Sequence, residues 1–150
     1  MEVVKGLLYI NNKDVYLEYG AFLTEDAEGK YANYSELLSS PKMKPYVSVD
    51  FREDDGEKLP DNLPHPAFEP RNVSLNFAIL ADTGAIFKNK YFAFISFLKS
   101  GWLNIQVPEL SKTYKMYFLE CSGYEQLTPI DGGQVAAKFK VKLREPVPQF

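Results

Sequence analysis

The chain has 150 residues, 45% hydrophobic and 25% charged, a balance that predicts one globular domain burying about 70% of its unfolded surface and excludes a disordered chain. Its formal net charge of −3, with basic residues scattered among acidic ones, predicts no phosphate-backbone partner, so nucleic acid is not expected. One Cys and one His exclude an internal disulfide framework and a zinc site of the usual Cys/His kind, and the want of a basic leader or of about 18 successive apolar residues predicts neither signal peptide nor membrane insertion.

Aromatic residues make up 15% of the chain, with 11 Phe and 10 Tyr, residue types that favour strands and the centres of protein interfaces. The first strand is expected over Glu2–Ile10, stopped by Asn11-Asn12, which tolerate left-handed turn conformations. Val15, Leu17 and Tyr19 alternate up to Gly20, and Ala21-Phe22-Leu23-Thr24 continues in β-compatible residues before the polar run Glu25–Lys30. This predicts a pair of short strands. Tyr34–Ser40 reads as one helical turn ending before Pro41, since a residue preceding proline is pushed out of the α region.

From Asp50 to Pro70 the composition changes: an acidic run with Arg52 and Lys58 inside it is followed by Pro60, Pro64, Pro66 and Pro70. Excursions this long without structure of their own are uncommon in compact domains and tend to be functional. An extended arm or hairpin that packs on a neighbour is preferred over a solvated loop. Val73, Leu75, Phe77 and Ile79 then alternate with small or polar residues, the pattern of a strand with one apolar face.

After Asp82-Thr83-Gly84, the stretch Phe87–Ser100 places Phe87, Tyr91, Phe94, Ile95 and Leu98 at helical spacing, with Gly101 suited to the position just past its end. Phe92 and Phe97 fall off that stripe. The helix is therefore apolar on more than one side, as one wedged between a sheet and another subunit would be. Leu103, Ile105 and Val107 alternate up to Pro108, and Tyr114–Glu120 is a further β-prone run interrupted by Ser122-Gly123. Asp131-Gly132-Gly133 reads as a hairpin turn opening a strand whose Val135, Ala137, Phe139, Val141 and Leu143 face one way while Lys138, Lys140, Lys142 and Arg144 face the other. The fold class expected is mainly β (α+β): an antiparallel β-sandwich or split barrel with one main helix and an extended arm, in a single domain over residues 1–150.

No constellation for catalysis emerges. His65 lies in the rigid stretch Leu63-Pro64-His65-Pro66 without a carboxylate, serine or cysteine in a recognisable arrangement, so a surface residue is expected. Cys121 has no activating base beside it and reads as a small core hydrophobe. Asp50, Glu53, Asp54, Asp55 and Glu57 lack the spacing of a calcium loop and are interrupted by Arg52. A hydrolase using an unrecognised acid pair has no support above background. Neither an enzyme nor a cofactor is expected.

Four segments taken together resemble the siphophage tail component family, in the short form carried by prophages of gut Bacteroidales. They are Leu8–Asp14 with Tyr19–Leu23; Tyr34–Leu38 with Met43–Tyr46; Pro70–Phe77; and the close Lys138–Pro148. The helix and the following Gly101-Trp102-Leu103 also fall where such proteins place them. The resemblance covers nearly the whole chain, on structural motifs and not on an active-site signature. It implies a subunit similar to the N-terminal domain of distal tail proteins, made in the bacterial cytoplasm and built into the virion tail. Other phage tail proteins and copies of the chain itself, in a hexameric ring where tail tube meets baseplate, are the implied partners. The sequence departs from that family in ending just past its last strand, which puts receptor binding by a second domain in doubt. Residues expected at a subunit interface are Phe51, Arg52, Leu59, Leu63 and Phe68 on the arm, with Phe92 and Phe97 on the helix. A carbohydrate-binding β module, stacking sugars on exposed Tyr and Trp102, is the alternative.

Overall fold

The computed structural model describes residues 6–24, 31–131 and 133–148. In chain order these form β1 (Tyr9–Ile10), β2 (Lys13–Asp14), α1 (Val15–Tyr19), β3 (Ala21–Leu23), α2 (Ala32–Leu38), β4 (Arg71–Ala81), α3 (Gly84–Leu98), β5 (Leu103–Val107), β6 (Lys112–Gln126) and β7 (Val135–Glu145). The strands make one antiparallel sheet in the order β2-β1-β5-β6-β7-β4-β3. The class is α+β and mainly β, as expected, and the sheet is continuous and open rather than closed into a barrel.

The two strands with the plainest alternation form the longest regular pair. β4 and β7 run side by side from Arg71 opposite Glu145 to Ala81 opposite Val135. Every odd-numbered residue of β7 is buried, while Lys138, Lys140 and Arg144 are half-buried and Lys142 exposed on the other face. A slip of one residue would exchange the two sets and place charges in the core, which pins the register. Helix α3 begins with Thr83 accepting from the Ile86 amide, a side-chain N-cap. It buries Phe87, Phe94 and Leu98 against the sheet, with Tyr91 and Ile95 partly buried beside them. Phe94 sits among Tyr19, Phe77 and Phe139, ring centroids 5.5, 5.4 and 6.1 Å away. Gly101 takes a positive φ of 133°, a little beyond the helix end at Leu98.

β6 joins the two parts of the sheet. Its first residues pair with β5, from Lys112 opposite Val107 to Met116 opposite Leu103, and Tyr117 onward pairs with β7. Ile10, Leu103, Ile105, Tyr114 and Met116 on one side and Val73, Leu75, Phe77 and Phe139 on the other enter one core. The interruption expected at Ser122-Gly123 is an irregularity inside a single strand, with register shifts at Phe118/Glu120 and Ser122/Glu125 and Gly123 at φ 64°. An inserted residue bends a strand without ending its ladder.

Two further expectations are corrected. Val15–Tyr19 is a helix, not a strand: the Asp14 carboxylate accepts from the Tyr16 and Leu17 amides, and Gly20 closes the turn at φ 67° with its amide donating to the Tyr16 and Val15 carbonyls. Caps at both ends outweigh a short run of alternation. Of the strand expected over Glu2–Ile10, the described residues 6–10 pair only at Tyr9–Ile10, with Gly6 turning at φ 79° and its amide donating to Asp14; residues 1–5 lie outside the described residues. So do the run Glu25–Lys30 and Gly132 of the expected hairpin turn. The Asn11-Asn12 turn stands as expected, both residues at positive φ.

Candidate functional site

The helical turn expected over Tyr34–Ser40 is α2, and it lies against the edge of β4. Beyond the end of β3 its Asn33 behaves as a substitute peptide: the side-chain oxygen accepts from the Asn76 amide at 2.6 Å and the side-chain nitrogen donates to the Asn76 carbonyl at 3.2 Å. An edge that would otherwise offer unpaired backbone groups is thereby covered. The last carbonyls of a helix lack intrahelical partners. Here Arg71, the first residue of β4, supplies them: its guanidinium donates to Leu37 at 3.2 Å, to Glu36 at 3.4 Å and to Ser39. The same guanidinium meets the Glu145 carboxylate at 2.6 Å, and Glu145 is only 4% exposed. Tyr114 completes the group, its ring under Arg71 at 5.7 Å and its hydroxyl donating to the Leu37 carbonyl at 3.2 Å; burial raises its phenol pKa.

That network clamps both roots of a long excursion. The chain leaves α2 at Ser39 and returns to the sheet at Arg71, so the arm expected over Asp50–Pro70 in fact starts about ten residues earlier. It is a loose two-limbed hairpin. Lys44 donates to Ala67 and Glu69 to Lys42 near its base, and Val49 and Lys58 exchange backbone bonds at 2.9 and 2.6 Å nearer its tip. Between these rungs almost nothing covers the side chains. Met43, Val47, Val49, Phe51, Leu59 and Leu63 are all exposed, Val47 at 89% and Phe51 at 50%. Isolated apolar residues on a surface need no explanation, but six on one projecting element do.

Of the residues expected at an interface, Phe51, Arg52, Leu59 and Leu63 are exposed along this arm, with Phe68 half-buried near its base. Phe92 stands apart on α3, 64% exposed. Phe97 is engaged within the subunit, stacked on Tyr19 at 5.4 Å with the Lys13 ammonium 5.3 Å above its ring. Sequence reasoning missed Met43, Val47 and Val49, whose place before the acidic run hid them, and it missed the clamp at the arm's roots.

The remaining candidates for chemistry are dispersed. His65 is exposed on the arm's returning limb, beside a groove of about 500 Å³ whose other wall is Pro146–Pro148. Cys121 is half-buried against Tyr91; burial pushes its thiol up, away from the thiolate a nucleophile needs. Burial and the Cys121 thiol together push Tyr91 up to about 12. Tyr34 is also pushed up to about 12, first by its hydrogen bond to the Glu109 carboxylate. Among the described residues no three His, Cys, Asp or Glu side chains are grouped to hold a metal ion, and no helix is long and apolar enough to cross a membrane. Trp102 is 51% exposed, but the Lys115 ammonium lies 4.6 Å over its ring and Tyr117 meets it edge to face.

No protein-family model matches the chain, and no curated protein matches it. Among solved structures it is similar to the Dit protein of phage SPP1, described as a paradigm of the hub adsorption apparatus in phages infecting Gram-positive bacteria. The likeness covers 94% of this chain and 49% of that one, at 14% identity and a TM-score of 0.47. This chain thus spans about half the length of that protein.

Proposed function

We propose that the chain is a structural, non-catalytic subunit of a bacteriophage tail, and that it joins copies of itself and other tail proteins into a ring at the junction of tail tube and baseplate. The observation that carries the assembly half of this reading is the arm: six large apolar side chains are held in solvent on an element whose roots are clamped by a buried ion pair. A disordered loop would need no clamp. A hairpin that must present its side chains to a partner in fixed orientation gains from one, because less freedom is lost on docking. The tail half rests on the sequence resemblance across four segments. In a ring each subunit offers one surface to a different surface of the next, and a reaching arm suits that heterologous contact because closure satisfies every arm.

The test is to replace residues 45–66 by a short Gly-Ser turn, leaving the contact between Met43 and Phe68 at the base. Thermal unfolding is expected to be little changed, while self-association at high concentration and incorporation into tails are lost. Normal tail assembly without the arm would refute the reading, and so would collapse of the domain on its removal.

A further inference from the structure

The lysine-bearing face of the sheet contains a pocket of about 190 Å³ lined by Thr24, Asn76, Gly123, Glu125, Lys138 and Lys140, among others. Its chemistry is that of a carboxylate receptor. Asn76 is only 8% exposed; its backbone groups are held by Asn33 and Thr24, while its side-chain amide makes no hydrogen bond among the described residues and keeps its solvent access at the pocket wall. Lys138 is spoken for, loosely, by Glu125 at 4.0 Å, and Lys142 further along the strand by Glu120 at 3.0 Å. Lys140, between them, makes no ion pair among the described residues. The bulge in β6 keeps the pocket open, because it sets Gly123, which has no side chain, above Lys140, with even an added Cβ still 3.9 Å from the lysine Cβ.

The complementary groups lie at the tip of the arm. Asp50, Glu53, Asp54, Asp55 and Glu57 outnumber Arg52 and Lys58 there. Two of the acids are already engaged: Asp54 with Lys58 at 4.0 Å, and Glu57 accepting from the Ser48 hydroxyl at 2.8 Å. Glu53 and Asp55 are exposed and make no ion pair among the described residues. We infer that the pocket at Asn76, Lys138 and Lys140 receives the Glu53 and Asp55 carboxylates of a second copy of this chain. The inference rests on the reading of the chain as an assembling subunit and names the surface that accepts the arm. Lys140 supplies the charge and the Asn76 amide a second donor, while the apolar arm residues dock around them. An extended limb of about ten residues reaches some 30 Å, enough to leave its own domain and cross to the next.

The experiment is a titration of the full-length chain with a fluorescein-labelled peptide spanning residues 47–61, followed by anisotropy at low and at physiological salt. Saturable binding is expected, weakened about tenfold or more by Lys140→Glu and to a similar degree by a peptide carrying Glu53→Gln and Asp55→Asn, as for close charge pairs at interfaces. A peptide carrying Asp55→Lys should recover binding to the Lys140→Glu chain. Lys140→Ala, which removes the charge without reversing it, guards against a folding defect and should give an intermediate loss. Equal binding to wild-type and Lys140→Glu chains, or no saturable binding at millimolar peptide, would overturn the inference. Binding that appears only when the protein's own tip carries Glu53→Gln and Asp55→Asn would place the tip in its own pocket and exclude a second copy. None of these results touches the assembly reading, which stands or falls on replacement of the arm.

Discussion

Arg71→Ala is the perturbation that separates a clamp from an ornament. The ion pair it breaks is a close one, at 2.6 Å, and its partner Glu145 is almost fully buried. Two consequences compete. The carbonyls of Glu36, Leu37 and Ser39 lose a charged donor, but Glu36 and Ser39 lie at half-buried or exposed positions where water replaces it at small cost, and the buried Leu37 carbonyl keeps the Tyr114 hydroxyl. Glu145 has no such recourse, and an uncompensated buried carboxylate costs about 3–5 kcal/mol. The second effect therefore dominates. Against a total stability of about 5–15 kcal/mol, the domain stays folded but weakened. At about 2–4 °C per kcal/mol for a chain of this size, the thermal midpoint should fall by roughly 6–20 °C. Differential scanning calorimetry reads the shift, and hydrogen exchange should show faster opening at the Ser39 and Ser40 amides. The double variant Arg71→Met with Glu145→Leu should recover much of the loss, because it removes both charges. A loss below about 1 kcal/mol for Arg71→Ala, the range of a solvent-exposed pair, would refute the clamp.

Phe94→Ala should cost about 3–5 kcal/mol in urea unfolding, since the side chain sits among three aromatic rings that cannot close the space; an unchanged midpoint would mean that α3 docks otherwise. Gly20→Ala should cost more than the ~1–2 kcal/mol of a left-handed residue, because an added Cβ would also stand 2.6 Å from the Leu80 carbonyl oxygen; circular dichroism melts would expose a neutral result. Raising the pH should destabilise the domain in a defined window. The neutral phenols of Tyr91 and Tyr34 are favoured in the folded state, with pKa values raised from 10.0 to about 12. Their contribution is thus whole below pH 10 and is lost as pH climbs toward 12. Tyr91→Phe should flatten part of that decline, and a pH-independent midpoint across the window would contradict it.

Legibility in the sequence followed burial geometry. Val135–Leu143 and Val73–Ile79 were readable because each strand buries one face against α3, which writes a period of two into the residues. The long helix was readable for the same reason at a period near 3.6. Val15–Tyr19 misled because its alternation is shorter than the noise in such patterns, while the better signal, Asp14 before it and Gly20 after it, lay in the flanks. Ser122-Gly123 reads as an interruption because glycine marks both bulges and turns, and only the partner strand distinguishes them. The arm was visible as a change of composition, but not its true start, since Met43, Val47 and Val49 look like ordinary strand residues until their exposure is known. Arg71 and Glu145 are 74 positions apart, and Asn76, Lys140 and Gly123 come from three different strands. Nothing local marks such convergences.

The pairing of β4 with β7 also decides how the domain bears load. The arm enters the sheet at the first residue of β4, and all eleven residues of that strand are registered against β7. Backbone bonds in an antiparallel pair lie across the strands, so tension applied to the arm along β4 strains the whole ladder in shear instead of opening it rung by rung. The ion pair between Arg71 and Glu145 closes the end where an unzipping fracture would begin. An extension fixed in this way is a mechanical tether, able to pass a pull on the arm into the interior of its own domain without unravelling its root.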